Sequence, residues 1–227
     1  MKPYYEHAGI TIYHGDCREI LPALDAVDCL ITDPPYGVEF AGKMTKHSDR
    51  RGDLEVYDDT EAYFRDVVLS GVGLALGLCK RAAIFTGTRR LHEYPPATDI
   101  GGIVCPNGAG RSAWGFGCFH PVAFYGTSPF MQEGLGARPT ARAIYHPGMH
   151  VTGESYEHPC QKPIEFMTWV VETASLPGQT ILDPFAGTGT TLAAAKQLAR
   201  RAIGIEIEEK YCEIAANRLS QEVFDFK

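Results

Sequence analysis

The sequence predicts an α/β domain built on a doubly wound, mostly parallel sheet with helices on both faces. Three observations predict it. β-rich apolar runs alternate with helical periods through most of the 227 residues. Two of those runs end abruptly, one at Asp33-Pro34-Pro35-Tyr36 and the other at Asp183-Pro184-Phe185-Ala186-Gly187-Thr188-Gly189-Thr190. An acid, Glu206, closes the apolar run that follows the second turn, at the spacing where a nucleotide ribose is usually held.

The elements follow in order. Ile10–Tyr13 alternates and reads as a short strand ending in the turn His14-Gly15-Asp16. A short helix is expected over 17–24, then a buried strand at Val27–Thr32. Pro34 and Pro35 cannot continue a ladder, so the backbone is stiff at that strand's end. Residues 37–59 lack a period and read as a basic loop. Thr60 caps a helix reaching about Cys79, with Tyr63, Val67, Val68, Val72, Ala75 and Leu78 at helical spacing. Ala82–Thr86 is another buried strand. Residues 87–150 are rich in Gly and Pro and hold five Arg and no Lys against three acids. That stretch reads as irregular, with one strand at Val122–Tyr125, and as an insertion whose length points to a role. Pro163 starts a helix with a stripe of Ile164, Met167, Val170, Val171 and Ala174. The glycine turn, its helix, the strand to Glu206 and a last helix from about Glu208 to Leu219 complete the chain.

Composition narrows the function. Seven scattered cysteines without a Cys-x-x-Cys pair exclude a disulfide framework and a zinc knuckle, and suit a reducing cytoplasm. Residues 1–7 form no apolar signal core, and no stretch approaches the length of a membrane span. The eight histidines show no ligand spacing, so no metal is expected. The net charge of −7 disfavours a polyanionic partner unless basic surface is concentrated locally.

The glycine turn lacks the third glycine of a dinucleotide fingerprint, since Leu192 stands there, and it lacks Gly-Lys-Ser/Thr. A nucleoside ligand without a pyrophosphate fits it better. Taken with Asp33-Pro34-Pro35-Tyr36, the turn resembles the cofactor loop of the amino-methyltransferases of DNA, which use S-adenosylmethionine. His158-Pro159-Cys160-Gln161-Lys162-Pro163, Arg201-x-x-Gly204-Ile205-Glu206, Tyr211, Arg218 and His14-Gly15-Asp16 resemble further family elements, with Cys160 replacing a usual Thr or Ser. The tetrapeptide precedes the cofactor loop, as in the family's beta group. The match covers residues 10–40 and 158–218 and is poor between 87 and 150.

The resemblance implies a seven-stranded Rossmann-like methyltransferase sheet within one domain, residues 87–150 being a small target-recognition insertion. It implies methylation of an adenine N6 amine; cytosine N4 is the alternative, with a catalytically silent relative or an RNA or protein methyltransferase further behind. Asp33 and the Pro34 carbonyl are the implied acceptors for the amine, Pro35 stiffens them, and Tyr36 stacks on a base flipped from the duplex. Residues 183–190 are the implied cradle of the methionine part, with Glu206 on the ribose. Asp16 is implied for the adenine, a turn-forming Asp being the plainer alternative. Lys162 is a candidate for the cofactor carboxylate, a solvated lysine being its alternative. Candidate DNA contacts are Lys43, Lys46, Arg50, Arg51, Arg89, Arg90, Arg111, Arg138 and Arg142. The short recognition region implies a short or relaxed target, or help from a second copy in a homodimer. A restriction-modification or solitary bacterial or phage setting is implied by association.

Overall fold

A computed structural model describes residues 1–38, 58–106, 111–112, 115–136, 143–147 and 162–220. Its strands in chain order are β1 (Tyr5–His7), β2 (Ile10–His14), β3 (Val27–Thr32), β4 (Cys79–Phe85), β5 (Asp99–Val104), β6 (Arg111–Ser112), β7 (Gly115–Phe116), β8 (Phe119–Tyr125), β9 (Ala143–Tyr145), β10 (Thr180–Asp183) and β11 (Arg201–Glu206). β6 and β7 pair with each other. The other nine form one sheet in the order β1-β2-β11-β10-β3-β4-β8-β5-β9.

The central five strands, β2, β11, β10, β3 and β4, are parallel. Such strands are covered on both faces, which is why β3, β4, β10 and β11 read as apolar runs, while β2 alternates. The two faces separate residue by residue. Cys29, Ile31, Ala83, Phe85 and Ile181 share one core cluster, while Leu30, Ala82, Ile84 and Leu182 share the other. The first face is covered by helices Ile164–Ala174, Thr190–Gln197 and Glu209–Ser220.

The second face is covered by a continuous rod over residues 61–78, made of Glu61–Tyr63, a π-helical turn at Phe64–Val68, and Leu69–Leu78. Thr60 caps it, its hydroxyl accepting from the Tyr63 N–H at 3.2 Å. The π turn helps place Phe64, Val68, Val72 and Ala75 together in the core. Among the described residues, no helix is long and apolar enough to cross a membrane.

Two expectations are corrected. Among the described residues the main sheet has nine strands, where seven were expected. Residues 87–150 are not irregular throughout, because β5 and β8 extend the main sheet antiparallel beyond β4. Their sequences disguise this. β5 contains Gly101-Gly102, and β8 contains Pro121, which reads as a breaker. Gly102 is required by close approach: a Cβ there would lie 2.3 Å from the His120 carbonyl oxygen. The three-residue β1, antiparallel to β2, was too short to register as a pattern.

The sheet's topological switch point lies between β3 and β10. β3 leads through the 61–78 rod to β4 on one side, and β10 leads through the Thr190–Gln197 helix to β11 on the other. Open α/β sheets bind ligands at the carboxyl ends of such strands. The two unusual turns of the sequence emerge there.

Candidate active site

Residues 33–36 leave β3 and residues 184–189 leave β10, with Ile181 opposite Cys29 and Leu182 opposite Leu30. One hydrogen bond ties the two ends together: the Thr32 hydroxyl donates to Asp183 Oδ1 at 2.7 Å. The same oxygen accepts from the Phe185 N–H at 3.1 Å. Asp183 is 1% exposed, and burial lifts its carboxyl to about 6, opposed by hydrogen bonds from Thr191, Thr32 and Phe185. It therefore braces the loop from within.

Glu206 braces the loop from β11. Oε2 accepts from the Gly187 N–H at 2.8 Å and Oε1 from the Glu208 N–H at 2.9 Å. Burial raises this carboxyl to about 7, against the pull of those two amides. Gly189, at φ 78°, starts the following helix in the left-handed region, which a side chain would strain. Thr190 accepts from Arg218 Nη1 at 3.1 Å, tying the helix start to the last helix.

The absent third glycine is explained by packing. Leu192 in its place is fully buried, and the room for it comes from β11. A Cβ at Gly204 would stand 2.7 Å from Leu192 Cδ1 and 3.0 Å from Ala186 Cβ. The close approach of helix and sheet has been transferred from the turn to the neighbouring strand.

At the other turn, Asp33 is the centre of a small polar cluster. The Tyr36 hydroxyl donates to Asp33 Oδ1. Lys162 Nζ donates to Asp33 Oδ2 at 2.7 Å and reaches the Tyr36 hydroxyl at 3.2 Å. The ammonium also lies 5.2 Å from the Tyr36 ring centroid and 5.5 Å from that of Phe85. Lys162 is 7% exposed. This overturns the solvated alternative for Lys162, whose partner in this structure is the tetrapeptide carboxylate. Its place just before the Ile164–Ala174 helix gave no hint of Asp33, 129 residues away.

Asp16 lies two residues past the end of β2, next to Gly15, whose N–H donates to the Glu206 carbonyl at 2.9 Å. Its carboxylate caps the short helix Cys17–Ile20 and pairs with Arg18, which holds its pKa below the usual range. The cap and a position near Glu206 coexist.

The DNA candidates divide. Arg89 is exposed at the rim of a cleft of about 470 Å³, lined also by Gly37, Val38 and His92. Arg90 turns inward, with Nε on the Tyr36 carbonyl, Nη2 on the Gly37 carbonyl and Nη1 on Glu93. Lys43, Lys46, Arg50, Arg51, Arg138 and Arg142, the side chain of Arg111, and the His158–Gln161 element lie outside the described residues. Among the described residues, no three His, Cys, Asp or Glu side chains gather as a metal site.

Comparison with known proteins fits this geometry. The family described as DNA methylase, with N6 and N4 in its name, matches residues 138–217. The type II methyltransferase M2.DpnII of Streptococcus pneumoniae is 46% identical over 97% of this chain and 93% of its own. Among solved structures, the PvuII cytosine-N4-specific DNA methyltransferase matches with a TM-score of 0.71 at 15% identity, covering 99% of this chain and 91% of that one. M1.HpyAVI, solved in complex with SAM, matches with a TM-score of 0.66 at 22% identity, covering 93% and 100%. These two structural likenesses establish the fold.

Proposed function

The chain belongs to the amino-methyltransferases of DNA, and we propose that it transfers a methyl group from S-adenosylmethionine to the exocyclic N6 amine of an adenine flipped out of a short duplex target. The observation that carries this reading is the side-by-side placement of Asp33–Tyr36 and the Asp183–Thr190 loop at the switch point, joined by Thr32 and Asp183.

The loop residues fit the cofactor. Among the described residues nothing lies within 4 Å of where a Cβ on Gly187 would stand, so that side of the loop is open to them. Beside it sits Glu206, a buried acid whose remaining lone pairs can accept from ribose hydroxyls. Residues 183–190 would hold the methionine part and Asp16 the adenine. When bound, S-adenosylmethionine supplies an electrophilic sulfonium methyl.

The chain's own residues do the rest. An aromatic amine is a poor nucleophile because its lone pair is delocalised into the ring. Asp33 and the Pro34 carbonyl would take its two N–H groups and turn the lone pair out of the plane. Positive charge then grows on that nitrogen, and the preplaced Asp33 carboxylate stabilises it. The Tyr36 ring would stack on the base while its hydroxyl stays on Asp33 Oδ1. Lys162 holds the second carboxylate oxygen in the resting site, which keeps Asp33 aimed before substrate arrives. Phosphate contacts would fall to Arg89 and to the cations of residues 39–57, and target recognition to residues 87–150.

Asp at position 33 favours adenine over cytosine on the family resemblance. Incubation of duplex DNA with the protein and S-adenosylmethionine, followed by nucleoside mass spectrometry, tests the proposal. N6-methyladenine is expected; N4-methylcytosine alone would replace the adenine reading, and neither product would overturn both.

A further inference from the structure

The backbone that follows the tetrapeptide is gripped from two directions. Asp59, 4% exposed, takes the Gly37 N–H on Oδ1 at 2.6 Å and the Val38 N–H on Oδ2 at 3.3 Å. Arg90 holds the opposite side of the same peptides, with Nε on the Tyr36 carbonyl at 3.1 Å and Nη2 on the Gly37 carbonyl at 2.9 Å. A fork binding two successive carbonyls fixes orientation as well as position, which an ammonium cannot do.

The grip is itself built in. The Arg90 side chain is 13% exposed, lies 4.9 Å over the Phe64 ring and is anchored to Glu93 at 2.7 Å. Glu93 in turn pairs with Arg65 at 3.0 Å. Phe64, from the π-helical turn, packs so closely under Gly37 that a Cβ there would stand 2.7 Å from its own. The short helix Gly87–Arg90 supports Tyr36 at both ends: its last residue holds the Tyr36 carbonyl, and its first lies under the ring, a Cβ at Gly87 falling 3.2 Å from Tyr36 Cγ.

We propose that Arg90 and Asp59 are positioning residues of the methyl-transfer site, a clamp on the Tyr36–Gly37–Val38 backbone that sets the plane of the Tyr36 ring and the aim of its hydroxyl at Asp33. The proposal rests on the methyl-transfer reading above. Neither residue touches the reacting atoms. They act through the peptide planes, and a misplaced tetrapeptide is expected to lower transfer on the order of 10- to 100-fold without weakening cofactor or DNA binding.

The test compares wild type with Arg90→Gln, Arg90→Lys and Asp59→Ala in three measurements. Amide hydrogen exchange at Gly37 and Val38 needs no activity. Single-turnover transfer is measured at saturating duplex and S-adenosylmethionine. The salt dependence of duplex binding distinguishes a clamp from a phosphate contact. Expected results are faster exchange at Gly37 and Val38 in Arg90→Gln and Asp59→Ala, a slowed single turnover, and an unchanged salt slope. Arg90→Lys should recover part of the rate, since a lysine reaches one carbonyl of the two. Arg89→Gln should do the reverse and reduce the salt slope by about one.

Unchanged exchange and rate in both Arg90→Gln and Asp59→Ala would overturn the clamp. So would an Arg90→Gln variant that loses about one from the salt slope while keeping its rate at saturation. If Arg90→Gln fails to fold, Asp59→Ala and Arg90→Lys carry the same comparison. A wild type that methylates no DNA base would overturn the functional reading instead. Hydrogen exchange would still judge the clamp, which unchanged Gly37 and Val38 protection in the variants would refute.

Discussion

Replacing Lys162 by Met separates the two roles this lysine can have. Met keeps most of the side-chain volume, so the change removes chiefly the charge and its hydrogen bonds. In the resting site Lys162 is 7% exposed and donates to Asp33 at 2.7 Å. A hydrogen bond to a charged partner contributes about 1.5–3 kcal/mol. Stranding one member of a fully buried pair costs about 3–5 kcal/mol. The Asp33 side chain keeps 20% of its exposure, so water recovers part of that loss, and we take ~2 kcal/mol. In a chain of this size that lowers Tm by about 4–8 °C. Asp33 then keeps the Tyr36 hydroxyl but loses the brace on Oδ2, and kcat should fall on the order of 10- to 100-fold. The assays are a thermal melt, isothermal titration with S-adenosylmethionine, and transfer of labelled methyl to duplex DNA. A variant with unchanged Tm and kcat but cofactor affinity weakened tenfold would refute this reasoning and return Lys162 to the cofactor carboxylate.

Two further expectations concern the cofactor strand. Gly204→Ala puts a Cβ against Leu192 and Ala186 and should cost about 1–3 kcal/mol, while Leu192→Ala should cost about 2–5 kcal/mol. In urea denaturation the double variant should lose at least ~1 kcal/mol less than the sum, and strict additivity would contradict the packing explanation for the missing glycine. Glu206 titrates near 7 when folded and near the ordinary carboxylate value when unfolded, so the native state holds the extra proton and stability falls as pH rises between those values. Relative to Glu206→Gln, the wild type should lose about 1–1.5 kcal/mol between pH 6 and pH 8, and parallel stability profiles would refute it. Because the ionised carboxylate is the better acceptor for ribose hydroxyls, cofactor affinity should also climb with pH until about 7 and release protons below it, read by titration in buffers of different ionisation enthalpy.

The parallel core was legible because most of its strands are apolar on both faces and two of them, β3 and β10, stop at unmistakable turns. Asp33–Tyr36 and Asp183–Thr190 stood out through their resemblance to one family's motifs, and their adjacency follows from β3 pairing with β10. The outer strands were harder. β5 owes its place to a glycine that lets Phe119 and His120 come close, and β8 tolerates Pro121, both local signals against a strand. The internal partners of Lys162 and Arg90 were hidden for a common reason. A buried cation and a solvated one look alike in sequence, and their partners lie 129 and 53–54 residues away. Arg89-Arg90 looked like a basic doublet for phosphate, yet its two members face different tasks. The missing third glycine argued against a dinucleotide site, and Gly204, on the neighbouring strand, supplies the close packing it would have given.

The most direct measurement uses S-adenosylmethionine carrying a deuterated methyl group, duplex DNA of mixed sequence, and nucleoside mass spectrometry on wild type and Asp33→Ala in parallel. Labelled N6-methyladenine is expected from the wild type, with a loss from Asp33→Ala of at least about 100-fold, the scale of removing one preplaced electrostatic group. Equal labelling by Asp33→Ala, or a wild type that labels no base, would contradict the proposed function.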